Sequence, residues 1–240
     1  MLFFLPRPRL AQTALTVAAA ADLIRLEPAL LASFRKIDPQ VRLRFVNEAS
    51  AIIAQQIENG APYDVFLSAN AQYVDRLASN RKLISDSIMT YAIGRVGALW
   101  KDGKHHDIKD LAQNWVRFVA LPNPKLAPYG IAAEQSLQHA GIWPQVQPKI
   151  VYGENVEQAL QMFESGNADV VLTSASLLRG KNPQLIPDDW HLPITQKAGI
   201  VAESKNQGAA RDFLAFLRGQ SAQAVFKQFG FSGPEPSVSK

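Results

Sequence analysis

Cysteine is missing from all 240 residues. Disulfides, thiolate catalysis and zinc sites built on thiolates are thereby excluded. The absence is compatible with an oxidising compartment and does not require one. No apolar run reaches the ~18 residues of a membrane span. Charge is also sparse and unclustered. Charged residues make up 19% of the chain, and the 25 Lys and Arg are scattered among 21 Asp and Glu. The net charge of +4 and the pI near 9.3 leave an anionic partner open. Nucleic acid, however, calls for a basic stripe or patch, and the Arg7-Pro8-Arg9 and Lys101–Lys104 stretches are too short to form one. No nucleic-acid partner is expected. Repeats and low-complexity segments are absent as well.

What is present is apolar residues in quantity. At 47% hydrophobic, the chain can bury a sizeable core, and its length suits two lobes of ordinary size. The N-terminus is unusual. Met1–Leu5 is apolar, Pro6–Arg9 interrupts it, and Leu10-Ala11-Gln12-Thr13-Ala14 resembles the small-residue end of a secretory signal. Residues 1–14 read either as a signal-peptide remnant behind a misplaced start or as a short disordered arm.

From Leu15 onward, strands and helices alternate, which defines the α/β class. Leu15–Ala20 reads as a buried strand. Asp22 is a natural N-cap for a helix whose apolar positions Leu23, Leu26, Leu30, Leu31 and Phe34 recur at helical spacing. Pro28 delays or bends that helix. Val41–Val46 alternates as a second strand, Ser50–Glu58 is a helix closed by Asn59-Gly60, and Val65-Phe66-Leu67 is a third strand. Ile88–Trp100 reads as a long strand that Gly94 and Gly97 bend. Phe118–Leu121, Lys149–Tyr152 and Asp169–Leu172 are further strands, with helices over Gly130–Ala140 and Asn155–Glu164. Ile194–Ala202 is a return strand, Ala209–Leu217 and Ala222–Phe229 are closing helices, and Ser232–Lys240 reads as a disordered tail.

Four times a strand runs through a small or polar turn into a helix: at Ala20-Ala21-Asp22, Asn47-Glu48-Ala49-Ser50, Pro128-Tyr129-Gly130 and Glu154-Asn155-Val156. Ligands of open α/β sheets collect at such strand ends. Each helix start offers unpaired N–H groups and the positive end of a dipole, so several aimed at one point hold an anion without Lys or Arg. Taken alone the pattern is weak, because every α/β protein has such junctions.

These junctions resemble those of the molybdate-binding periplasmic proteins of ABC importers, the ModA family. Leu15-Thr16-Val17-Ala18-Ala19-Ala20-Ala21-Asp22-Leu23 resembles the family's opening strand and first ligand loop. The most specific stretch is Gln56-Ile57-Glu58-Asn59-Gly60-Ala61-Pro62-Tyr63-Asp64-Val65-Phe66-Leu67-Ser68-Ala69, which is similar to the family's Q-I-x-x-G-A-P-x-D-x-F-x-S-A pattern. Pro128-Tyr129-Gly130 fits the P-x-G loop, the segment around Glu154–Leu160 resembles the fourth ligand loop, and Phe226–Phe231 resembles the closing helix. The likeness runs from Leu15 to Phe231.

The resemblance implies a type II periplasmic-binding-protein fold, two α/β lobes joined by two crossing strands with a ligand cleft between. Lobe one would comprise residues 15–91 plus 199–240, and lobe two residues 92–198. It further implies a non-enzymatic, monomeric, periplasmic binding protein without a cofactor. Its ligand would be molybdate or tungstate, its partner an ABC permease, and no bare metal cation would be bound. The implied ligand residues are Asp22, Ser50, Tyr129, Val156 and Thr173. Ser50 would give a hydroxyl and an N–H, and Tyr129 and Val156 backbone N–H groups. Thr173, with Ser174 beside it, stands where the family often has a tyrosine hydroxyl.

Asp22 departs from the serine of familiar members. An ionised carboxylate only accepts hydrogen bonds and would repel a dianion. Either Asp22 turns away to cap its helix, or it takes a proton from a phosphate-like ligand, or the site holds something other than an oxyanion. Phosphate or sulfate therefore stays open as ligand, as do a sensor domain and an enzyme on the same scaffold. For an enzyme, Glu27 and Glu48 are the only acid–base pair in view, with no nucleophile to complete them. Asp64 reads as a turn carboxylate, and His105-His106 as part of an exposed loop rather than a metal site.

Overall fold

The computed structural model describes residues 13–234. Two five-stranded mixed sheets, each flanked by helices, form two lobes. The chain begins in lobe one with β1 (Thr13–Ala20), a 3-10 turn over Ala21–Leu23, α1 (Glu27–Ile37), β2 (Val41–Glu48), α2 (Ser50–Glu58), β3 (Val65–Ser68), α3 (Ala71–Ser79) and β4 (Met89–Gly94). Lobe two follows with β5 (Val96–Trp100), β6 (Val119–Pro122), α4 (Pro128–His139), α5 (Trp143–Val146), β7 (Ile150–Gly153), α6 (Val156–Glu164), β8 (Val170–Ser174) and β9 (Gln184–Leu185). The chain then returns to lobe one through β10 (Ile194–Ile200), α7 (Gln207–Arg218) and α8 (Gln220–Gln228).

In lobe one the order is β2-β1-β3-β10-β4, and in lobe two β7-β6-β8-β5-β9. β1 pairs parallel with β2 and β3, and β6 parallel with β7 and β8. β10 and β5 run antiparallel to their neighbours. Both faces of the first sheet are covered, and strand alternation assigns the side chains. Leu15, Val17, Ala19, Val65 and Leu67 pack with α1, α7 and α8 residues such as Phe34, Phe213 and Phe226, whereas Ala18 and Phe66 pack with Ile53, Ile57, Val74 and Leu77 of α2 and α3. A strand buried on both faces reads as a continuous apolar run, as Val65-Phe66-Leu67 does.

The chain changes sheet at Arg95 and again between Leu185 and Ile194. The expected boundaries at 91/92 and 198/199 fall inside β4 and β10, because Ile194–Gln196 pair with β4 residues rather than with lobe two. The long strand expected over Ile88–Trp100 is two strands broken at Arg95. The N-terminal arm expected over 1–14 lies outside the described residues except for Thr13 and Ala14, which belong to β1, with Thr13 N–H donating to Gln40 O at 3.1 Å. Of the expected disordered tail, Ser232 instead exchanges two hydrogen bonds of 2.9 Å with Ile93, while residues 235–240 lie outside the description. Among the described residues no helix is long and apolar enough to cross a membrane.

Candidate functional site

The C-terminal ends of the parallel strands of both sheets face one another across the lobe interface. There Ala20, Ala21, Asp22, Glu48, Ala49, Ser50, Ala69, Ala127, Pro128, Tyr129, Asn155 and Val156 line a cavity of about 10 Å³. All four strand-to-helix junctions thus meet at one point, although they lie far apart in sequence. No Lys, Arg or His is among the lining residues. The cavity has about the room of a single water, so the walls must part for anything larger to enter.

Each junction has a local cause. Pro128 starts α4 at its first turn, where a missing N–H is harmless and the fixed φ fits. Asn155 caps α6, its Oδ1 accepting from Gln158 N–H at 2.9 Å. Ser50 opens α2, and its Oγ accepts from Ala69 N–H at 3.1 Å, which leaves the Ser50 O–H available to donate. Ser50, Tyr129 and Val156 all stand in first turns, where backbone N–H groups have no partner within their helix.

Asp22 does not cap α1. The 3-10 turn Ala21–Leu23 intervenes, and α1 opens only at Glu27, with Pro28 in its first turn. The buried Asp22 carboxylate points instead into a polar network. Its Oδ2 accepts from Tyr129 Oη at 2.8 Å and from Gln196 Nε2 at 2.8 Å. Tyr91 Oη donates to Gln196 Oε1 at 2.9 Å and so fixes which end of that carboxamide faces Asp22. Asp22 Oδ1 is buried with no hydrogen-bond partner. Burial lifts the Asp22 carboxyl from 3.8 to about 7 against the opposing pull of the Tyr129 and Gln196 donors. Tyr129 and Tyr91 are pushed well above their ordinary value, first by burial and then by the nearby Asp22.

Thr173 stands apart from the other four expected site residues. It is fully buried on β8 behind the cavity, and its Oγ1 donates to Val156 O at 2.9 Å, so its one proton is committed to the backbone. Ser174 Oγ is likewise engaged with Ser176 Oγ at 2.8 Å. Ser176 Oγ in turn lies 2.5 Å from Asp22 O, a contact between the lobes.

Gln196, Tyr91 and Asn155 were not singled out as site residues from sequence. The signal for Gln196 was a polar residue on the same face of the return strand as Ile194 and Ala198. There a register shift between Gln196 and Lys197 re-aims the side chain. Glu27 and Glu48 do not form a pair. Glu27 accepts from Asn47 Nδ2, and Glu48 Oε1 accepts from Ala49 N–H at 2.9 Å and from Asn155 Nδ2 at 3.0 Å. Asp64 is satisfied by Thr16 N–H at 2.7 Å, Ser204 Oγ at 2.6 Å and Asn206 Nδ2 at 3.1 Å. His106 pairs with Asp102 at 2.9 Å and packs beside Trp100 and Trp115. Among the described residues no cluster of three or more His, Cys, Asp or Glu is placed to hold a metal ion.

Two lobes closing on a small cavity at their strand ends define a solute-binding protein. The family model for bacterial extracellular solute-binding proteins matches residues 15–232. The molybdate-binding protein ModA of Azotobacter vinelandii is 30% identical over 96% of this chain and 99% of its own, and that of Rhodobacter capsulatus 33% identical over 73% and 71%. The solved structure of the Azotobacter vinelandii periplasmic molybdate-binding protein superposes with a TM-score of 0.86 at 29% identity, covering 92% of this chain and all of that one. The chain belongs to the ModA family of extracellular solute-binding proteins, a family of transport proteins and not of enzymes.

Proposed function

We propose that this protein binds a tetrahedral oxyanion, molybdate or tungstate, outside the cytoplasm, in the periplasm, and delivers it as a monomer to the membrane permease of an ABC importer. The observation that carries this reading is the meeting of four junctions at one small cavity without a cationic side chain. Such an ion exchanges its hydration shell for N–H and O–H donors. In this reading Ser50 supplies its hydroxyl and N–H, Tyr129 and Val156 supply N–H groups, and Asp22 closes the site beneath. Thr173 holds the Val156 peptide rather than the ion. Both lobes contribute, so ligand favours the closed form. The names of the Azotobacter and Rhodobacter relatives support molybdate.

A thermal-shift panel on ligand-free protein tests it, with molybdate, tungstate, sulfate, phosphate and arsenate. A ligand at a thousand times its Kd stabilises by about 4 kcal/mol, which raises Tm by roughly 10 °C in a protein of this size. Molybdate and tungstate are expected to give that shift. A shift confined to phosphate and arsenate, or none with any oxyanion, overturns the assignment.

A further inference from the structure

Asp22 is an acceptor at a site that needs donors, and the surrounding geometry resolves the conflict. Two donors, Tyr129 Oη and Gln196 Nε2, converge on Oδ2. The Gln196 carboxamide cannot turn its oxygen to Asp22 without abandoning the Tyr91 hydroxyl. While Tyr129 Oη and Gln196 Nε2 both donate to Oδ2, a proton on the carboxyl sits on Oδ1. That is the oxygen left buried and without a partner, on a residue that lines the cavity.

We infer that the bound oxyanion and Asp22 share a single proton between Asp22 Oδ1 and one ligand oxygen, so that capture of an unprotonated dianion takes up one proton from solvent. The inference rests on the oxyanion reading above. The step balances as carboxylate plus proton plus dianion giving carboxylic acid hydrogen-bonded to dianion. No bond to the central atom changes. A ligand that arrives with its own proton needs none from solvent.

Glu27, at the start of α1, is also lifted by burial to about 7, but it accepts from Asn47 and does not line the cavity. Tyr129 on α4 and Tyr91 on β4 stay neutral well beyond the physiological range, and Gln196 on β10 does not titrate. Ser176 meets Asp22 only at its carbonyl. Glu48, from β2, lines the cavity and is held by Ala49 N–H and Asn155. Arg25, from the turn beyond Asp22, pairs with Glu157 of α6 at 3.7 Å. The carboxyl already titrates near neutrality in the closed protein, so the linkage falls in an accessible range.

The test is calorimetric titration of the full chain with molybdate between about pH 6 and pH 9, in pairs of buffers of different ionisation enthalpy. Molybdate remains a dianion throughout. Its affinity is expected to fall about tenfold per pH unit above neutrality, with close to one proton taken up per ion at pH 8. Phosphate, which at pH 8 carries its own proton, is expected to take up none if it binds. Asp22→Asn presents an amide that cannot ionise, and whatever its affinity, its slope against pH is expected to vanish. Molybdate binding that is flat with pH, without proton uptake, overturns the shared proton and leaves the oxyanion reading standing. Failure of every oxyanion to bind at pH 6 overturns both. A slope that persists in Asp22→Asn assigns the proton elsewhere and overturns the inference.

Discussion

Asn155 Nδ2, on the lobe-two wall of the cleft, donates to Glu48 Oε1 on the lobe-one wall at 3.0 Å, while Asn155 Oδ1 caps α6 through Gln158 N–H at 2.9 Å. One side chain thus holds a helix start and links the lobes. Replacing Asn155 by Ala is expected to lower stability by about 1 kcal/mol through loss of the cap and also to weaken ligand binding. Asn155→Asp keeps the cap but sets a carboxylate against Glu48. It is expected to restore thermal stability without restoring affinity. Denaturation and titration of the two variants separate the roles. Equal affinity in both variants and the parent would show that the link contributes nothing to closure.

Gly94 lies where β4 ends and the chain leaves lobe one, outside the cavity. A Cβ built there would stand 2.2 Å from Tyr129 Oη and 3.0 Å from Gln196 Nε2. Gly94→Ala must therefore displace the Tyr129 hydroxyl from Asp22. A loss of roughly tenfold or more in oxyanion affinity, about 1.4 kcal/mol, is expected from a methyl group that does not reach the ligand. Unchanged affinity would mean that the Tyr129–Asp22 contact is dispensable.

Tyr91 reaches the site only through Gln196. Tyr91→Phe strands the buried Gln196 Oε1 without its donor, at a cost of about 1–3 kcal/mol. Chemical denaturation at pH 7 reads this directly. A change smaller than about 0.5 kcal/mol would show that the carboxamide finds another partner.

Stability should depend on pH through Asp22. Its folded value, about 7, lies above the ordinary 3.8 because burial penalises the charge. The folded form therefore holds this proton more tightly than the unfolded chain. The group's contribution is complete below pH 3.8 and is lost as pH rises through about 7. In ligand-free protein at pH 8, Asp22→Asn, which has no charge to bury, is expected to melt higher than the parent. The gain is at most about 4 kcal/mol, because opening of the cleft lets water reach the parent's carboxylate. The gap should narrow as pH falls toward 5. A variant that melts lower than the parent at pH 8 would contradict this.

Much of the scaffold was legible in the sequence because its signals are local. The apolar runs Leu15–Ala20 and Val65-Phe66-Leu67 became central strands, and Pro28 delayed α1 as its missing N–H dictates. The resemblance across Gln56–Ala69 pointed to the family. Short elements escaped: β9 is only Gln184–Leu185, and α5 spans one turn at Trp143–Val146. Asp22 was misread as a cap because capping is judged from neighbours in sequence. Its real partners, Tyr129 and Gln196, are 107 and 174 residues away. Tyr91 and Gln196, 105 residues apart, meet only once β4 and β10 pair. No local pattern encodes such a meeting.

The position of β10 between β3 and β4 has a consequence for how the molecule is made. Synthesis proceeds from the N-terminus, so when β4 emerges it has no neighbour in its own sheet. It must wait for residues 194–200, after the whole of lobe two has been synthesised. Lobe two comes from one continuous stretch and can fold as a unit as soon as that stretch is out. Lobe one stays an open three-stranded β2-β1-β3 sheet until the last fifth of the chain arrives. The nascent protein therefore passes through a long interval with one lobe formed and the other exposing its sheet edge.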